Sequence, residues 1–422
     1  MTRFDRRTML AGLGLLGGAG AIGLSPRLFA AERVMEEVPP LPGTVTPIGP
    51  EERKARIARA QALMKAADIG AVLIEPGASL IYFTGVQWWR SERLTAAVIP
   101  AEGDPIVVTP FFEKPSVAIS LGIPADIRVW QEDENPFALI AAFLKARGLS
   151  RARIGVEETA RFFAFDGLRQ LLPGAPLVSA DQVVRGCRMR KTAAEIALMQ
   201  RAADVTTAAY RWTVPQVRVG MTREDIGALM NAATGRLGGQ TEFNLILVGP
   251  DAALPHGSPR PQVVGKGSIV LMDCGCTVEG YQSDTSRTFV VGADPTPEQR
   301  KVWNEVARGQ QVAFAAAKLG APAGAVDDAV RAYYQSLGYG PGYNLPGLSH
   351  RTGHGIGLEG HEPVNLVHGE TTPLAPGMCF SNEPGLYLPG RFGVRLEDCF
   401  HMTQAGPRWF STPPVSIDAP VG

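Results

Sequence analysis

The chain has 422 residues, which is too long for one ordinary hydrophobic core and predicts two domains. Lysine plus arginine and aspartate plus glutamate balance at 41 each, so the charge gives no sign of a nucleic-acid partner. A hydrophobic content of 45% with 19% charged residues is that of a soluble globular protein. We therefore expect a small or peptide-like substrate.

Residues 1–31 have the pattern of an export signal and not of a folded domain. Arg6 and Arg7 precede an uncharged stretch from Met9 to Leu24 that is rich in glycine, alanine and leucine. A small-residue end follows at Ala30 and Ala31. This order resembles a twin-arginine signal and predicts a periplasmic location. Because the end is not a clean Ala-x-Ala site, an uncleaved segment that holds the protein at the membrane is the alternative.

The proline-rich residues 32–50 predict a stiff, extended linker. Residues 51–187 form the first predicted domain, which is α/β because helical and strand patterns alternate in it. The predicted helices are Glu51–Ala67 and Pro136–Arg147, and the predicted strands are Ala71–Ile74, Ile81–Phe83, Ala96–Ile99, Ile106–Val108 and Arg153–Val156. No cluster of chemically reactive residues occurs here. Trp88-Trp89-Arg90 is a candidate pocket or interface, although core packing is the more frequent explanation.

Residues 188–422 form the second predicted domain, in which strands lie between and after long helices and the candidate acidic residues fall on or near the ends of the strands. The predicted helices are Lys191–Trp212, Thr222–Leu237 and Thr296–Leu319. The predicted strands are Glu242–Val248, Ser268–Cys274, Arg287–Val291, Met378–Asn382 and Gly393–Asp398. Strands hold side chains more precisely than loops, as a metal site requires.

All six histidines lie between His256 and His401, in this second domain. The same stretch contains carboxylates at or near strand ends, where a buried charge needs a partner. Carboxylates with one or two imidazoles are the ligand set of a pair of divalent metal ions that hydrolyse a bond. The candidate ligands are Asp273, Asp284, His354, Glu383 and Glu397, and His361 lies seven residues after His354.

The five cysteines do not point to a disulfide scaffold, because their number is odd and their spacing shows no framework. Cys274 and Cys276 are open to two interpretations, as thiolate ligands or as small buried hydrophobic residues, and we favour the second. If their segment is a strand, both cysteines point to the face opposite Asp273.

In combination, these motifs resemble the pita-bread metallopeptidases of the creatinase/prolidase branch. The resemblance implies an α+β protein in which a pita-bread catalytic domain follows a creatinase-type α/β domain. It assigns the metal ligands to Asp273, Asp284, His354, Glu383 and Glu397, and makes Glu383 the residue that takes the proton of the attacking water. His256, His361 and Arg395 match substrate-binding positions, and the first two are also counted as catalytic.

The resemblance also implies two divalent metal ions and a homodimer. Oxygen-rich ligation with one histidine favours manganese, with zinc, cobalt and iron as alternatives. His350, His368 and His401 receive no functional role, although His350 is close enough in sequence to support the site.

The implied function is that of an aminopeptidase that hydrolyses the bond between an N-terminal residue and proline. Prolidases carry an additional arginine between the second histidine and the Glu-Pro-Gly glutamate, where it binds the dipeptide's carboxylate. Residues 362–382 contain no lysine or arginine. We therefore expect a longer peptide or a non-peptide substrate. The alternatives are a small-metabolite C–N hydrolase or a dimethylsulfoniopropionate lyase on the same fold, and a non-catalytic peptide-binding module.

Overall fold

A computed structural model describes residues 38–422 of the protein. The signal-like segment, residues 1–31, and the start of the linker lie outside the described residues, and both remain predictions. The described part of the linker lies against the second domain, where Val38 is buried and Arg201 donates hydrogen bonds to the carbonyls of Leu41 and Pro42. Within residues 38–422, every helix is too short or too polar to cross a bilayer.

The first domain is one mixed sheet with helices on both faces. Its helices are α1 (Pro50–Ala66), α2 (Ala78–Thr84), α3 (Lys114–Ser120), α4 (Pro136–Ala146), α5 (Phe162–Leu171) and α6 (Asp181–Arg188). Its strands are β1 (Ala71–Ile74), β2 (Ala96–Pro100), β3 (Ile106–Pro110), β4 (Asp126–Trp130), β5 (Ile154–Val156) and β6 (Leu177–Ser179), in the order β4-β3-β2-β1-β5-β6.

The apolar runs of this domain are continuous because the sheet is covered on both sides. Along β1, Val72 and Ile74 pack into one core cluster, whereas Ala71 and Leu73 pack into another. The predicted strand at Ile81–Phe83 is wrong, because these residues belong to the helix α2. A three-residue apolar run has no diagnostic period, and the glycines on each side of α2 begin and end the helix.

The second domain combines long helices with two main sheets. Its helices are α7 (Ala193–Thr213), α8 (Arg223–Arg236), α9 (Pro297–Ala316) and α10 (Gly324–Ser336). Its strands are β7 (Gln240–Val248), β8 (Ser268–Val278), β9 (Tyr281–Gln282), β10 (Thr285–Val291), β11 (Gly353–Gly355), β12 (Glu362–Leu366), β13 (Cys379–Asn382), β14 (Gly385–Leu388), β15 (Phe392–Arg395), β16 (Asp398–Thr403) and β17 (Gly406–Trp409). The sheets have the orders β10-β8-β7 and β12-β11-β13-β16-β17, and β14 pairs with β15.

Three helices begin where the sequence predicts, because each has a capping box. The side chains of Thr192, Thr222 and Thr296 accept hydrogen bonds from the backbone three residues later, at the starts of α7, α8 and α9. The strand predicted at Gly393–Asp398 is instead the end of β15 and the start of β16, with Leu396 and Glu397 between them. This break places Glu397 at a strand end.

Strand β8 lies between the two cores of the second domain. Its Ile269 and Leu271 pack with α9, α10 and the five-stranded sheet, whereas Cys274 and Cys276 pack with α7 and α8. Because side chains alternate along a strand, Asp273 points to the side opposite the two cysteines, as predicted. All five cysteines are free and buried.

Buried ion pairs join the two domains. Arg56 of α1 contacts Glu195 of α7 at 3.4 Å and donates to the Tyr281 hydroxyl at 3.0 Å. At the end of α6, Arg188 contacts Glu362 at 2.6 Å, and Lys191 contacts the same carboxylate at 2.9 Å. Through Arg188, the first domain is thereby attached to the first residue of β12, which directly follows His361.

Candidate active site

A tight turn brings the first two acidic residues together. Glu279 and Gly280 have φ values of 51° and 81°, and Val278 pairs with Tyr281, which is the geometry of a two-residue hairpin turn. Beyond this turn, β10 runs antiparallel to β8 and pairs Ser286 with Asp273 and Thr285 with Cys274. Asp284 therefore folds back beside Asp273, which explains the eleven-residue spacing.

The five-stranded sheet supplies the remaining candidate ligands. His354 lies in β11, which pairs with β13, and the Glu383 backbone N–H donates to the Thr352 carbonyl at 2.9 Å. His354 Nε2 lies 3.3 Å from Glu383 Oε1 and 3.8 Å from Asp284 Oδ2. Ligand atoms of Asp284, His354 and Glu397 all lie within 4.8 Å of one another. Candidate ligand atoms from the two sheets thus lie close together in space.

The glycines on each side of His354 permit this close approach. A β-carbon at Gly353 would lie 2.2 Å from the Ser381 carbonyl oxygen, and one at Gly355 would lie 2.5 Å from the Glu362 carbonyl oxygen. Any larger residue would separate β11 from its neighbours β13 and β12. The Gly-His-Gly motif therefore reflects the packing of backbones around the imidazole.

Burial places these acids under strong mutual repulsion. Burial, followed by repulsion from Asp273 and Glu383, raises the pKa of Asp284 well above its usual range. Burial and the charge of Asp284 do the same to the pKa of Glu397. Burial also raises the pKa of Glu383 to about 7, although the Arg395 guanidinium opposes it.

The unpaired atoms in this group fit divalent metal ions. Asp273 Oδ1, Asp284 Oδ1 and Glu397 Oε1 are buried and have no hydrogen-bond partner. Burial lowers the pKa of His354 to about 3, so its imidazole is neutral and able to act as a ligand. Unpaired buried carboxylate oxygens are costly unless a cation or proton neutralises them. The donor set, oxygen-rich with one imidazole, suits a hard or borderline metal ion.

The guanidinium of Arg395 donates its hydrogen bonds to other groups of the protein. It is buried and contacts Asp273 Oδ2 at 2.6 Å, the Tyr387 hydroxyl at 3.1 Å and Ser286 Oγ at 2.9 Å. Ser286 in turn donates to Glu397 Oε2 at 2.8 Å. This chain of contacts orients two candidate ligands, and sequence reasoning did not identify the contribution of Ser286. The predicted substrate contact of Arg395 stays a prediction.

The candidate ligands line a cavity of about 450 Å³. His256 and His361 are exposed in its wall, and the rings of His361 and His354 are 4.0 Å apart between centroids. All eight predicted site residues border this one cavity, namely His256, Asp273, Asp284, His354, His361, Glu383, Arg395 and Glu397. Their functional roles remain predictions.

Four further polar residues line the cavity without a function predicted from the sequence, namely Glu242, Gln282, His350 and Arg351. His350 contacts the Tyr387 hydroxyl at 2.7 Å, and burial lowers its pKa to about 3. Arg351 directly follows His350 and lies three residues before His354. This proximity in sequence to a candidate ligand is the signal that could have identified it as a site residue. His368 and His401 are not part of the cavity wall.

Comparison with known proteins agrees with this geometry. Residues 197–404 match the model of metallopeptidase family M24, and residues 56–190 match the creatinase/prolidase N-terminal domain. A probable dipeptidase PepE of Mycobacterium tuberculosis is 33% identical over 356 residues, which are 83% of this chain and 92% of the relative. An Xaa-Pro dipeptidase of Lactobacillus helveticus is 30% identical over 338 residues, covering 79% of this chain and 90% of the relative.

A solved structure shows the same architecture across nearly its whole length. The crystal structure of dipeptidase PepE from Mycobacterium ulcerans superimposes with a TM-score of 0.80 at 33% identity, covering 87% of this chain and 98% of that chain. The predicted α+β fold, with a creatinase-type domain before the catalytic domain, is confirmed. The chain belongs to metallopeptidase family M24, in its creatinase/prolidase branch, and is a metallo-exopeptidase of the hydrolase class.

Proposed function

We propose that this protein hydrolyses the bond between an N-terminal residue and a following proline. The observation that carries the proposal is the group of buried carboxylates with unpaired oxygens around His354, at the base of a cavity of peptide size. Relatives whose names describe Xaa-Pro dipeptidases support the choice of substrate. Proline makes a tertiary amide without an N–H, so a cavity shaped for its ring can distinguish this bond.

Two divalent metal ions would be held by the two aspartates of the hairpin, by His354 and by the two glutamates Glu383 and Glu397. Manganese is the favoured metal because most of the donors are carboxylate oxygens, with zinc, cobalt and iron as alternatives. Bound metal ions of this kind lower the pKa of water from 15.7 towards ~7 and polarise a carbonyl group.

The remaining chemistry falls to the side chains around these ligands. Glu383, whose Oε1 lies 3.3 Å from His354 Nε2, would accept the proton of the attacking water and pass it to the leaving nitrogen. His361 would donate a hydrogen bond to the oxyanion, because its ring lies beside His354 and is exposed to the cavity. His256 lies in the wall where it would contact the substrate. Arg395 would hold Asp273 in position.

Asp284→Asn tests the proposal, because it keeps the side-chain shape and removes one negative charge. We expect the variant to lose hydrolysis of Xaa-Pro peptides and to lose the rise in melting temperature that Mn²⁺ produces in the chelator-treated wild type. A thousandfold excess of metal over its Kd stabilises a protein by about 4 kcal/mol. Calorimetry with and without Mn²⁺, together with a peptide hydrolysis assay, measures both effects.

Without metal, the sign of the stability change should reverse. Because the pKa of Asp284 is raised in the folded protein, its stabilising contribution is complete only at low pH and is lost as the pH rises. Metal-free Asp284→Asn should therefore be at least as stable as metal-free wild type at pH 8. Asp294→Asn, the same change at an exposed position, is the control. An equal Mn²⁺ effect in wild type and Asp284→Asn would refute the metal site.

A further inference from the structure

Arg351 is a cation in the cavity wall that the proposed chemistry does not use. It is partly buried, and its Nη1 donates to the Asn365 side-chain oxygen at 2.6 Å. Its backbone is held as well, since the Arg351 carbonyl lies 2.7 Å from His350 Nδ1. The neutral amide of Asn365 on β12 thus orients the guanidinium, whose other N–H groups are able to donate to a bound ligand.

The two arginines of the cavity differ in their partners. Arg395 is paired with Asp273 at 2.6 Å, whereas no carboxylate of residues 38–422 lies within 4.0 Å of the Arg351 guanidinium nitrogens. A partly buried guanidinium beside a cavity favours a bound anion, and its planar fork matches a carboxylate in a bidentate manner. Arg351 therefore fits an anionic group of the substrate, whereas the carboxylates at the base of the cavity fit metal cations.

Arg351 lies close enough to the proposed catalytic residues for its charge to act on them. After burial, its charge is the largest influence that lowers the pKa of His361, and it also acts on Glu383 and His354. The guanidinium thus lies within electrostatic range of the residues proposed to act on the scissile bond. A carboxylate held by Arg351 would belong to a residue close to that bond.

The size of the cavity also favours a short substrate. Its volume of about 450 Å³ is near the lower end of the roughly 300–1,000 Å³ typical of small-molecule sites. The absence of lysine and arginine from residues 362–382 suggested a longer peptide. Arg351 precedes that range and lines the cavity, so a cation is available there for a substrate carboxylate.

We propose that Arg351 binds the free carboxylate of a dipeptide whose second residue is proline, and so selects dipeptides over longer Xaa-Pro peptides. This inference rests on the proposed function, because it assumes that the cavity binds Xaa-Pro substrates. The carboxylate-binding arginine would then lie before His354, and not between His361 and Glu383 as in prolidases.

Ala-Pro and its C-terminal amide test this assignment, because they differ only in the charge that Arg351 would bind. A charge-assisted hydrogen-bond pair contributes about 10- to 100-fold. We expect metal-loaded wild type to prefer Ala-Pro over the amide by that factor in kcat/KM. Arg351→Gln should lose about 10- to 100-fold on Ala-Pro, mainly through KM, and much less on the amide. Arg351→Lys, which keeps the charge without the fork, should be intermediate.

Binding of the product supplies a second readout that does not depend on turnover. Proline should raise the melting temperature of metal-loaded wild type more than prolinamide does, and Arg351→Gln should abolish that difference. This comparison in the wild type needs no variant, so it stands even if Arg351→Gln folds poorly. Arg391→Gln, which changes an arginine outside the cavity that pairs with Glu298, is the matched control.

Two results would overturn the assignment. One is a wild type that cleaves Ala-Pro and its amide equally well, or that prefers Ala-Pro-containing tripeptides. The other is an Arg351→Gln variant that loses the same factor on both substrates, since that indicates a structural role. If wild type cleaves no Xaa-Pro substrate at all but binds proline over prolinamide, the proposed function fails while the carboxylate site stands.

Discussion

Ser286 shows how a single hydroxyl can organise two charged groups. It accepts a hydrogen bond from Arg395 at 2.9 Å and donates one to Glu397 at 2.8 Å, and it is fully buried. Arg395 in turn holds Asp273 at 2.6 Å. Replacing a residue that orients metal ligands in this way typically weakens metal binding about 10- to 100-fold.

We predict that Ser286→Ala lowers metal affinity about 10- to 100-fold. The change leaves Arg395 Nε and Glu397 Oε2 without this buried partner, which should also cost about 1–3 kcal/mol of unfolding free energy. Metal titration by calorimetry measures the first effect, and denaturant unfolding measures the second.

Ser283→Ala is the control for this prediction, because the Ser283 hydroxyl contacts Thr206 and Cys276 and no carboxylate. It should reduce stability without a comparable loss of metal affinity. Equal metal affinity in wild type and Ser286→Ala would contradict the orienting role.

At the scale of elements, the β8–β10 hairpin sets the spacing of the two aspartates. The two turn residues adopt positive φ, 51° at Glu279 and 81° at Gly280. Glycine adopts this backbone without steric cost, whereas glutamate does not. The most favourable sequence for such a turn is Asn-Gly. One of the two turn residues is therefore suited to the hairpin and the other is strained.

Two substitutions in this turn should change stability in opposite directions. Glu279→Asn should raise the free energy of unfolding by roughly 0.5–1 kcal/mol, and Gly280→Ala should lower it by roughly 1–2 kcal/mol. A β-carbon at Gly280 meets its nearest neighbour, Leu358, at 3.4 Å, so the loss reflects backbone strain and not a clash. Urea unfolding of both variants measures the effect. A stabilising Gly280→Ala would show that the turn is not of this type.

At the scale of the whole molecule, a buried carboxylate links the two domains next to the cavity. Glu362 follows His361 directly and is contacted by Lys191 at 2.9 Å and Arg188 at 2.6 Å. Burial alone would raise the pKa of Glu362, but these two cations overcome burial and lower the pKa to about 2. The ionised carboxylate therefore stabilises the folded protein.

The sign of the pH dependence follows from this lowered pKa. The contribution of Glu362 is complete above its unfolded pKa of about 4.3 and is lost as the pH falls towards about 2. Glu362→Gln should cost about 3–5 kcal/mol near neutral pH, because Lys191 and Arg188 lose their shared partner. The difference from wild type should shrink on acidification.

Denaturant unfolding at pH 7 and at pH 3 checks this dependence. Asp328→Asn is the control, since it removes a carboxylate from an exposed pair with His368 and should change stability little. A difference between wild type and Glu362→Gln that is the same at both pH values would contradict the assignment.

Much of the fold and of the site follows from local sequence patterns. Helical spacing of apolar residues predicts α7, α8 and α9, and apolar runs predict β7, β8, β10 and β13, whereas the short strands β9, β11, β12, β14 and β17 are not predicted. The run at Ile81–Phe83 was misassigned because three apolar residues fit a helix as well as a strand. The strand predicted at Gly393–Asp398 joins the end of β15 to the start of β16, since no residue type marks the break between them.

The sequence by itself determined the chemical identity of the site: which carboxylates and which imidazole are available, and in what order. Only the tertiary structure decided which charges neutralise each other. Arg395 is paired with Asp273, 122 residues away, whereas Arg351 is left facing the cavity. The physical reason is that charge pairing depends on distance in space, and strand pairings between distant segments, such as β11 with β13, set those distances.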